Sequence, residues 1–221
     1  MLSAGMREQE YERLRELLAK FQPQDCLEIG MANGGSSVVI CQAIREQGEG
    51  RHRAIDPFQT VLNGFNGRGL EAVRKAGLTD SFELIEDFDY LALPKLVTNR
   101  QQFDFILIDG WHSFDYTFVD IFYADLLLKV GGVLAVHDSG WPSVYRACRF
   151  LETHKPYERL SPPISVVRKS FVGRIARRIG QFLGGPRYYR EMAARRNQWF
   201  SLAAYVKRAD QQVANDYHCS F

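Results

Sequence analysis

The stretch Asp25-Cys-Leu-Glu-Ile-Gly-Met-Ala-Asn-Gly-Gly-Ser-Ser37 decides the fold of this chain of 221 residues. Cys26, Leu27 and Ile29 form a short apolar run of the kind that a buried strand shows. Three glycines then interrupt the run, and the residues from Ser36 onward supply hydroxyl groups and an apolar face for a helix. Strand, glycine turn and helix in this order form the first unit of a nucleotide-binding α/β fold. Glycine suits the turn because a ligand must approach the backbone closely there.

The identity of that ligand depends on two positions of the turn. The dinucleotide fingerprint is Gly-x-Gly-x-x-Gly, and Ala32 takes the place of its second glycine. That glycine lets the backbone approach a pyrophosphate, so Ala32 argues against a nicotinamide dinucleotide. Glu28 ends the strand and is expected to point into the turn, where it would repel a pyrophosphate but could pair with an ammonium group. S-adenosylmethionine (SAM) carries an ammonium group and no phosphate.

The pattern Glu28-x-Gly30-x-Ala32-x-Gly34 resembles the first motif of class I SAM-dependent methyltransferases, with Ala32 at their usual middle glycine. A NAD(P)-linked oxidoreductase on a similar fold stays open as the alternative.

The composition is that of an ordinary globular protein, with 46% hydrophobic and 24% charged residues, and the length suits one α/β domain over residues 1–221. The net charge of +2 indicates no class of partner. Four cysteines without a CxxC pair are typical of reduced thiols, so we expect a cytoplasmic protein. Residues 1–20 lack the apolar centre of a signal peptide, and no apolar run is long enough to span a bilayer.

Alternating strand and helix signals from residue 25 to 154 predict a doubly wound, mostly parallel sheet of the α/β class. An amphipathic helix within residues 1–22 is expected to cover one edge of the sheet. The predicted strands are Cys26–Ile29, Arg51–Asp56, Ser81–Glu86, Phe103–Asp109, Val133–Val136, Ile164–Val167 and Ser201–Val206.

Acidic side chains end four of the predicted parallel strands: Glu28, Asp56, Asp109 and Asp138. The carboxyl ends of parallel strands meet at one edge of a sheet, and ligands of such folds bind there. Asp56 follows Gly30 by 26 residues and ends the next strand, which is the place of a carboxylate that accepts hydrogen bonds from ribose hydroxyls. Capping of a loop is the alternative role of Asp56.

Two further motifs, Asp109-Gly110-Trp111-His112 and the run from Gly131 to Ser139, resemble the small-molecule O-methyltransferases of the methyltransferase 24 family. The resemblance covers about residues 25–150. It implies a Rossmann-like sheet of seven strands with an antiparallel last strand. It also implies methyl transfer from SAM to a hydroxyl group of a sugar or natural product.

The resemblance assigns roles to individual residues. In cation-dependent relatives, Asp109 and Asp138 would hold Mg²⁺, and His112 would be the general base, so His112 and Asp109 are the predicted catalytic residues. A metal-free enzyme, in which the two aspartates bind SAM and the acceptor, stays open. Asp87 is expected at the exocyclic amine of adenine, and Phe88 is expected to pack against the ring. The predicted cofactor-binding residues are Glu28, Gly30, Ala32, Asn33, Gly34, Ser36, Asp56, Asp87, Phe88 and Asp109.

Residues 171–199 form a strongly basic segment that we expect to be a helical insertion between the last two strands. A basic amphipathic helix suits a peripheral membrane contact or a lipid-linked substrate. A contact between copies of the chain in a homo-oligomer is a second interpretation. Nucleic acid is not expected, because no aromatic stacking platform accompanies the charge. A non-catalytic SAM-fold protein that docks through this segment is a further alternative.

Overall fold

The computed structural model describes residues 5–160, 202–210 and 217, and it confirms the predicted α/β fold. Seven strands form one sheet in the order β3-β2-β1-β4-β5-β7-β6. Strands β1 to β5 are parallel, whereas β7 runs antiparallel to both β5 and β6. The strands are β1 Asp25–Ile29, β2 Arg51–Ile55, β3 Phe82–Ile85, β4 Phe103–Ile108, β5 Leu128–Val136, β6 Tyr157–Arg159 and β7 Ala203–Lys207.

In the part of the chain that the structure describes, six α-helices lie on the two faces of the sheet. Helices α1, α2 and α3 pack together on one face, and α4, α5 and α6 pack on the other. A 3₁₀ turn, Thr79–Ser81, precedes β3. The helices are α1 Glu8–Phe21, α2 Gly35–Gln47, α3 Arg68–Lys75, α4 Asp89–Thr98, α5 Phe114–Leu127 and α6 Pro142–His154. None of the helices in the described ranges has the length and apolar character needed to span a bilayer.

The central strand β4 explains why the sheet is buried on both faces. Phe103, Phe105, Ile106 and Leu107 are each at most 1% exposed, and alternate residues contact the two helical layers. Full burial of one such side chain contributes roughly 1.5–3 kcal/mol. The nearly continuous apolar run of β4 is therefore what a parallel strand between two layers of helices requires.

The strand order reverses between β1 and β4, and the carboxyl ends of these strands lie side by side. Hydrogen bonds between neighbouring strands continue one residue beyond the ends of β1, β4 and β5. They keep the residues that follow these strands side by side. The amides of Gly30, Asp109 and His137 donate to the carbonyl oxygens of Ile55, Ile29 and Ile108 over 2.8–2.9 Å.

The structure differs from the predicted elements at the end of the chain. Strand β5 begins at Leu128, five residues before the predicted start, and continues through Gly131 to Val136. The edge strand β6 was not predicted, and its three residues are too few for a periodic signal. The predicted strand 164–167 and the basic segment 171–199 lie outside the described residues, so the expectations attached to that segment stay predictions.

Candidate active site

A cavity of about 730 Å³ opens at the carboxyl ends of β1 and β4. This is the edge at which the sequence predicted a ligand site. Most of the predicted site residues line it. They are Gly30, Ala32, Asn33, Ser36, Asp56, Phe88, Asp109, His112 and Asp138.

The glycine turn after β1 forms one wall of the cavity. A Cβ atom on Gly30 would lie 2.3 Å from the carbonyl oxygen of Asp109, so only glycine allows the ends of β1 and β4 to approach this closely. Ala32 has a φ of +46°, a left-handed conformation that favours glycine. The middle position of the motif therefore keeps the backbone shape of glycine although its residue is alanine. Gly34 caps α2 with a φ of +80° and does not itself line the cavity.

Asp56 lines the cavity and also braces the glycine turn. Its Oδ2 accepts hydrogen bonds from the amides of Met31 and Ala32 at 3.1 and 2.9 Å, and its Oδ1 accepts from the amide of Phe58 at 2.8 Å. Asp56 therefore caps the loop, which was the alternative role given for it. A carboxylate has about four acceptor positions, so roughly one remains for a ribose hydroxyl.

Glu28 is not placed as the sequence predicted. Its side chain is fully buried and does not line the cavity. The hydroxyls of Ser36 and Ser37 donate to its two carboxylate oxygens, and His52 Nε2 lies 3.0 Å from Oε2. Glu28 therefore joins β1 to β2 and to the N-terminus of α2, where a negative charge is favourable. A direct contact with the ammonium group of a ligand does not follow from this position.

Asp87 is also displaced from its predicted role. Its carboxylate forms an ion pair with Lys95 Nζ at 2.8 Å, which lowers the pKa of Asp87, and it does not line the cavity. Phe88 and the nearly buried Asp89 line the cavity at this end instead. Behind Asp89 lies Asp120 of α5, whose burial and proximity to Asp89 raise its pKa well above the usual range.

Four side chains at the ends of β4 and β5 form a compact group, which we call the His–Asp cluster: Asp109, His112, His137 and Asp138. His112 Nε2 lies 3.0 Å from Asp138 Oδ2 and 3.6 Å from Asp109 Oδ1. His137 Nδ1 lies 2.7 Å from Asp109 Oδ1 and 3.8 Å from Asp138 Oδ2. Asp138 has a φ of +49°, a strained conformation of the kind that clusters at functional sites.

The cover helix α1 contributes a residue that the sequence did not predict. Glu10 is only 4% exposed, and its Oε2 lies 3.2 Å from His137 Nε2. The same oxygen accepts the amide of Arg7 at 2.7 Å, so the N-terminus of α1 fixes the carboxylate. In the sequence Glu10 is one of several charged residues along an amphipathic helix, and no local pattern marks it as buried.

Neighbouring carboxylates raise the pKa of both imidazoles. Burial opposes protonation of His112, but the neighbouring Asp109 and Asp138 outweigh it and raise the pKa of His112 to about 9. Burial likewise opposes protonation of His137, and the charge of Asp109 with hydrogen bonds to Asp109 and Glu10 raises its pKa to about 10. The carboxylates of the cluster therefore favour the positively charged form of both imidazoles.

The donor set of the cluster does not suit the Mg²⁺ ion that the resemblance implied. Mg²⁺ prefers six oxygen ligands in octahedral geometry. Here the imidazoles of His112 and His137 stand within 4 Å of both predicted carboxylate ligands. Nitrogen donors are less natural for Mg²⁺ than for borderline transition metals.

Aromatic side chains surround the mouth of the cavity in a continuous series, which we call the aromatic rim. Neighbouring rings lie 5.3–6.4 Å apart between centroids. Trp111 is 64% exposed, so a large apolar ring faces solvent beside the cluster. Trp141 lies on the other side, 5.5 Å from the ring of His112. The series runs Phe58, Phe88, Tyr90, Tyr116 and Trp111.

This region matches a known protein family. Residues 27–139 match the model of the family described as a methyltransferase domain, methyltransferase 24. The matched region spans half of the chain and contains both the glycine turn and the His–Asp cluster. A putative caffeoyl-CoA O-methyltransferase of Arabidopsis thaliana is 30% identical over 128 residues, which are 58% of this chain and 52% of that protein. The chain thus aligns with about half the length of that curated relative.

Solved structures with the same fold include two O-methyltransferases. TomG from Streptomyces achromogenes, involved in tomaymycin synthesis and solved with SAM, has a TM-score of 0.68 and 15% identity, with 95% of this chain and 84% of that chain covered. An O-methyltransferase from Bacillus cereus, solved with S-adenosylhomocysteine (SAH), has a TM-score of 0.62 and 15% identity, with 72% and 75% covered. At this level of identity the two structures show a shared fold.

Proposed function

The chain belongs to the methyltransferase 24 family, and from this premise we propose that it transfers a methyl group from SAM to a hydroxyl oxygen of a small molecule. One observation carries the proposal. The glycine turn of the matched motif and the His–Asp cluster face the same cavity at the point where the strand order reverses.

The proposed cofactor site runs along the ends of β1 and β2. The turn at Gly30 offers closely approachable backbone, and Asp56 retains acceptor capacity for a ribose hydroxyl. Phe88 offers a ring face or edge to the adenine. SAM or SAH in the TomG and Bacillus cereus structures supports the choice of cofactor by likeness of fold.

The methyl group of SAM is already activated, so the protein has to align the acceptor oxygen with the methyl carbon and the sulfur, and to accept the hydroxyl proton. The side chains of the His–Asp cluster line the cavity next to the glycine turn. We place the acceptor hydroxyl beside this cluster. The role of His112 as general base stays a prediction. Its side chain is about one third exposed and lines the cavity, as a base must.

The acceptor is proposed to be small, with a flat apolar or sugar portion. A volume of about 730 Å³ falls within the range of about 300–1,000 Å³ that is typical of ligand pockets, which leaves room for a cofactor and a small acceptor. The aromatic rim offers ring faces for stacking on such an acceptor. The name of the Arabidopsis relative, an O-methyltransferase, supports oxygen as the methylated atom.

The proposal is tested by incubating the protein with SAM labelled in the methyl group and a panel of sugars, catechols and other hydroxylated natural products. We expect label in an O-methylated product, equimolar SAH, and a loss of at least 100-fold in rate for Asp109→Asn. Asp80→Asn, an exposed aspartate outside the cavity, is the control. Transfer of the label to nitrogen or carbon, or transfer that Asp109→Asn leaves unchanged, would contradict the proposed reaction.

A further inference from the structure

The loop between β2 and α3 contains a glutamine that is buried between exposed neighbours. The side chain of Gln59 is 0% exposed, whereas Phe58 and Thr60 on either side of it are exposed. Buried polar side chains of folded proteins are almost always hydrogen-bonded, because they have given up their contacts with water. The partners of Gln59 therefore show what its burial serves.

The side-chain amide of Gln59 binds two backbone groups from separate segments. Its Nε2 donates to the carbonyl oxygen of Ala32 at 2.8 Å, and its Oε1 accepts from the amide of Gly69 at 3.2 Å. A carbonyl group only accepts and a backbone amide only donates, so these partners fix the orientation of the side-chain amide. One side chain thus joins the glycine turn after β1 to the first turn of α3.

The contact with Ala32 involves a strained residue. The backbone of Ala32 is left-handed, with a φ of +46°, and this conformation costs alanine more than it costs glycine. Asp56 Oδ2 accepts from the amide of Ala32 at 2.9 Å, so Asp56 and Gln59 together hold both the N–H and the C=O of this residue. A strained backbone persists where the surrounding structure over-determines it. Gln59 supplies the part of that constraint that acts on the carbonyl group.

The two segments that Gln59 joins also pack too closely to admit side chains. A Cβ atom on Gly69 would lie 2.8 Å from the carbonyl oxygen of Ala32 and 2.8 Å from Gln59 Oε1. A Cβ atom on Gly34 would lie 2.7 Å from the carbonyl oxygen of Gly69. The first turn of α3 therefore lies directly against the glycine turn, and the side chain of Gln59 is part of this contact.

We propose that Gln59 is a positioning residue for the cofactor, which holds Ala32 in the left-handed conformation that shapes the cavity wall. The inference rests on the proposed function, because the cofactor concerned is SAM. Ala32 lines the cavity and Gln59 does not, so Gln59 acts on the cofactor through the backbone of Ala32. Glycine at position 32 would adopt the same conformation without this support. The need for Gln59 is therefore tied to the alanine of this chain.

The test is a double-mutant cycle between positions 59 and 32, with SAH affinity measured by calorimetry. Gln59→Met keeps the approximate length of the side chain and removes both hydrogen bonds. We expect it to weaken SAH binding about 10-fold when Ala32 is present, which corresponds to the cost of a left-handed alanine. Combined with Ala32→Gly, the same change is expected to weaken binding about 2-fold or less, because glycine needs no support there.

Gln102→Met is the matched control for the change at position 59. The exposed Gln102 also donates to a backbone carbonyl of another element, that of Leu126 at 3.1 Å, but it lies just before β4 and outside the cavity lining. We expect Gln102→Met to leave SAH affinity unchanged. Circular dichroism and urea unfolding check that each variant is folded. If Gln59→Met does not fold, Gln59→Glu replaces it in the cycle, since it keeps an acceptor for the Gly69 amide and loses the donor for Ala32.

The outcomes separate this proposal from the proposed function. If the unchanged protein binds SAH, the proposed function stands, and either of two results overturns the role of Gln59. They are an unchanged affinity in Gln59→Met, and a loss of affinity that is the same with and without Ala32→Gly. If the unchanged protein does not bind SAH, the proposed function fails, and the cycle is read from urea midpoints. A loss of stability that Ala32→Gly abolishes then supports the contact with Ala32, and a loss that it leaves unchanged overturns it.

Discussion

At the scale of single residues, the buried carboxylate of Glu28 stabilises the strand–turn–helix unit from which the site is built. It accepts from two serine hydroxyls of α2 and lies beside the equally buried His52. Removal of one member of a buried ionic group costs about 3–5 kcal/mol, because its partners stay buried without it. We therefore expect Glu28 to affect cofactor binding only through the shape of the turn.

Glu28→Ala is predicted to lower the free energy of unfolding by about 3 kcal/mol, and to leave the SAH affinity of the folded fraction within a few-fold of wild type. Urea unfolding and calorimetry measure the two quantities. Glu83→Ala is the control, since that exposed carboxylate forms a surface ion pair with Arg53. Unchanged stability with loss of SAH binding would contradict this prediction. It would support the direct contact between Glu28 and the ammonium group of the cofactor that the sequence suggested.

Asp120 makes stability depend on pH in a defined direction. Burial and the charge of Asp89 raise its pKa in the folded state, so the folded protein binds this proton more tightly than the unfolded chain does. Stability is then greatest below the unfolded pKa of 3.8, and it falls as pH rises through the raised folded pKa.

Asp120→Asn is predicted to remove that fall, because the amide resembles the protonated acid. The free energy of unfolding of Asp120→Asn, relative to wild type, should increase as the pH rises above about 4. The total increase should be roughly 1.4 kcal/mol for each unit by which folding raises the pKa of Asp120. Thermal melts from pH 4 to 9 measure this, with the exposed Asp80→Asn as control. A constant difference across that range would show that the carboxyl group does not titrate in the window.

At the scale of elements, the glycine turn after β1 is where the sequence is most informative. Gly30 and Gly48 both have left-handed φ values, +87° and +95°, so a Cβ strains the two backbones similarly. At Gly30 the Cβ also meets the backbone of Asp109, whereas at Gly48 it meets nothing within 4 Å. A difference in SAH affinity between alanine variants at the two positions therefore reports on the close approach of β1 to β4, and not on backbone strain.

Gly30→Ala is predicted to lower SAH affinity at least 10-fold. The ends of β1 and β4 must separate to make room for the alanine side chain, and this changes the shape of the turn. Gly48→Ala should lose a similar amount of backbone stability, about 1 kcal/mol, and keep its affinity. Calorimetry on the two purified variants measures this. Equal affinities in the two variants would place the cofactor away from the turn.

Elements with local signals were predictable from sequence, and those defined by distant contacts were not. The apolar run of β4 and the glycine turn predicted β1 and β4 to within about a residue, because burial between two layers leaves a nearly continuous apolar sequence. The contact of Glu10 with His137 joins residues 127 positions apart. No pattern within one element encodes it, and the same holds for the burial of Glu28 behind the turn.

At the scale of the whole molecule, the cavity is lined by residues from helix α1, from the ends of β1, β2, β4 and β5, and from the aromatic rim. Trp111 is the most exposed ring of this rim. It follows Asp109 and precedes His112 in the cavity lining, where we place the acceptor hydroxyl, so we expect Trp111 to contribute mainly to acceptor binding.

Trp111→Ala is predicted to raise the KM for the acceptor several-fold, with little change in SAH affinity or in thermal stability. Steady-state kinetics with the acceptor found in the labelled-SAM screen measures this. Tyr145→Ala removes a similarly exposed ring from α6, outside the cavity lining, and should change neither constant. A KM equal to that of wild type would place the acceptor elsewhere in the cavity.

Isothermal titration calorimetry of the intact protein with SAH and, separately, with NADH tests directly whether the cavity binds the proposed cofactor. We expect one SAH bound per chain and no binding of NADH, because the turn at Ala32 and the nearby carboxylates disfavour a pyrophosphate. Binding of NADH without SAH would contradict it and support the oxidoreductase alternative. Binding of neither would contradict it as well, and would leave a methyltransferase fold without cofactor-dependent activity.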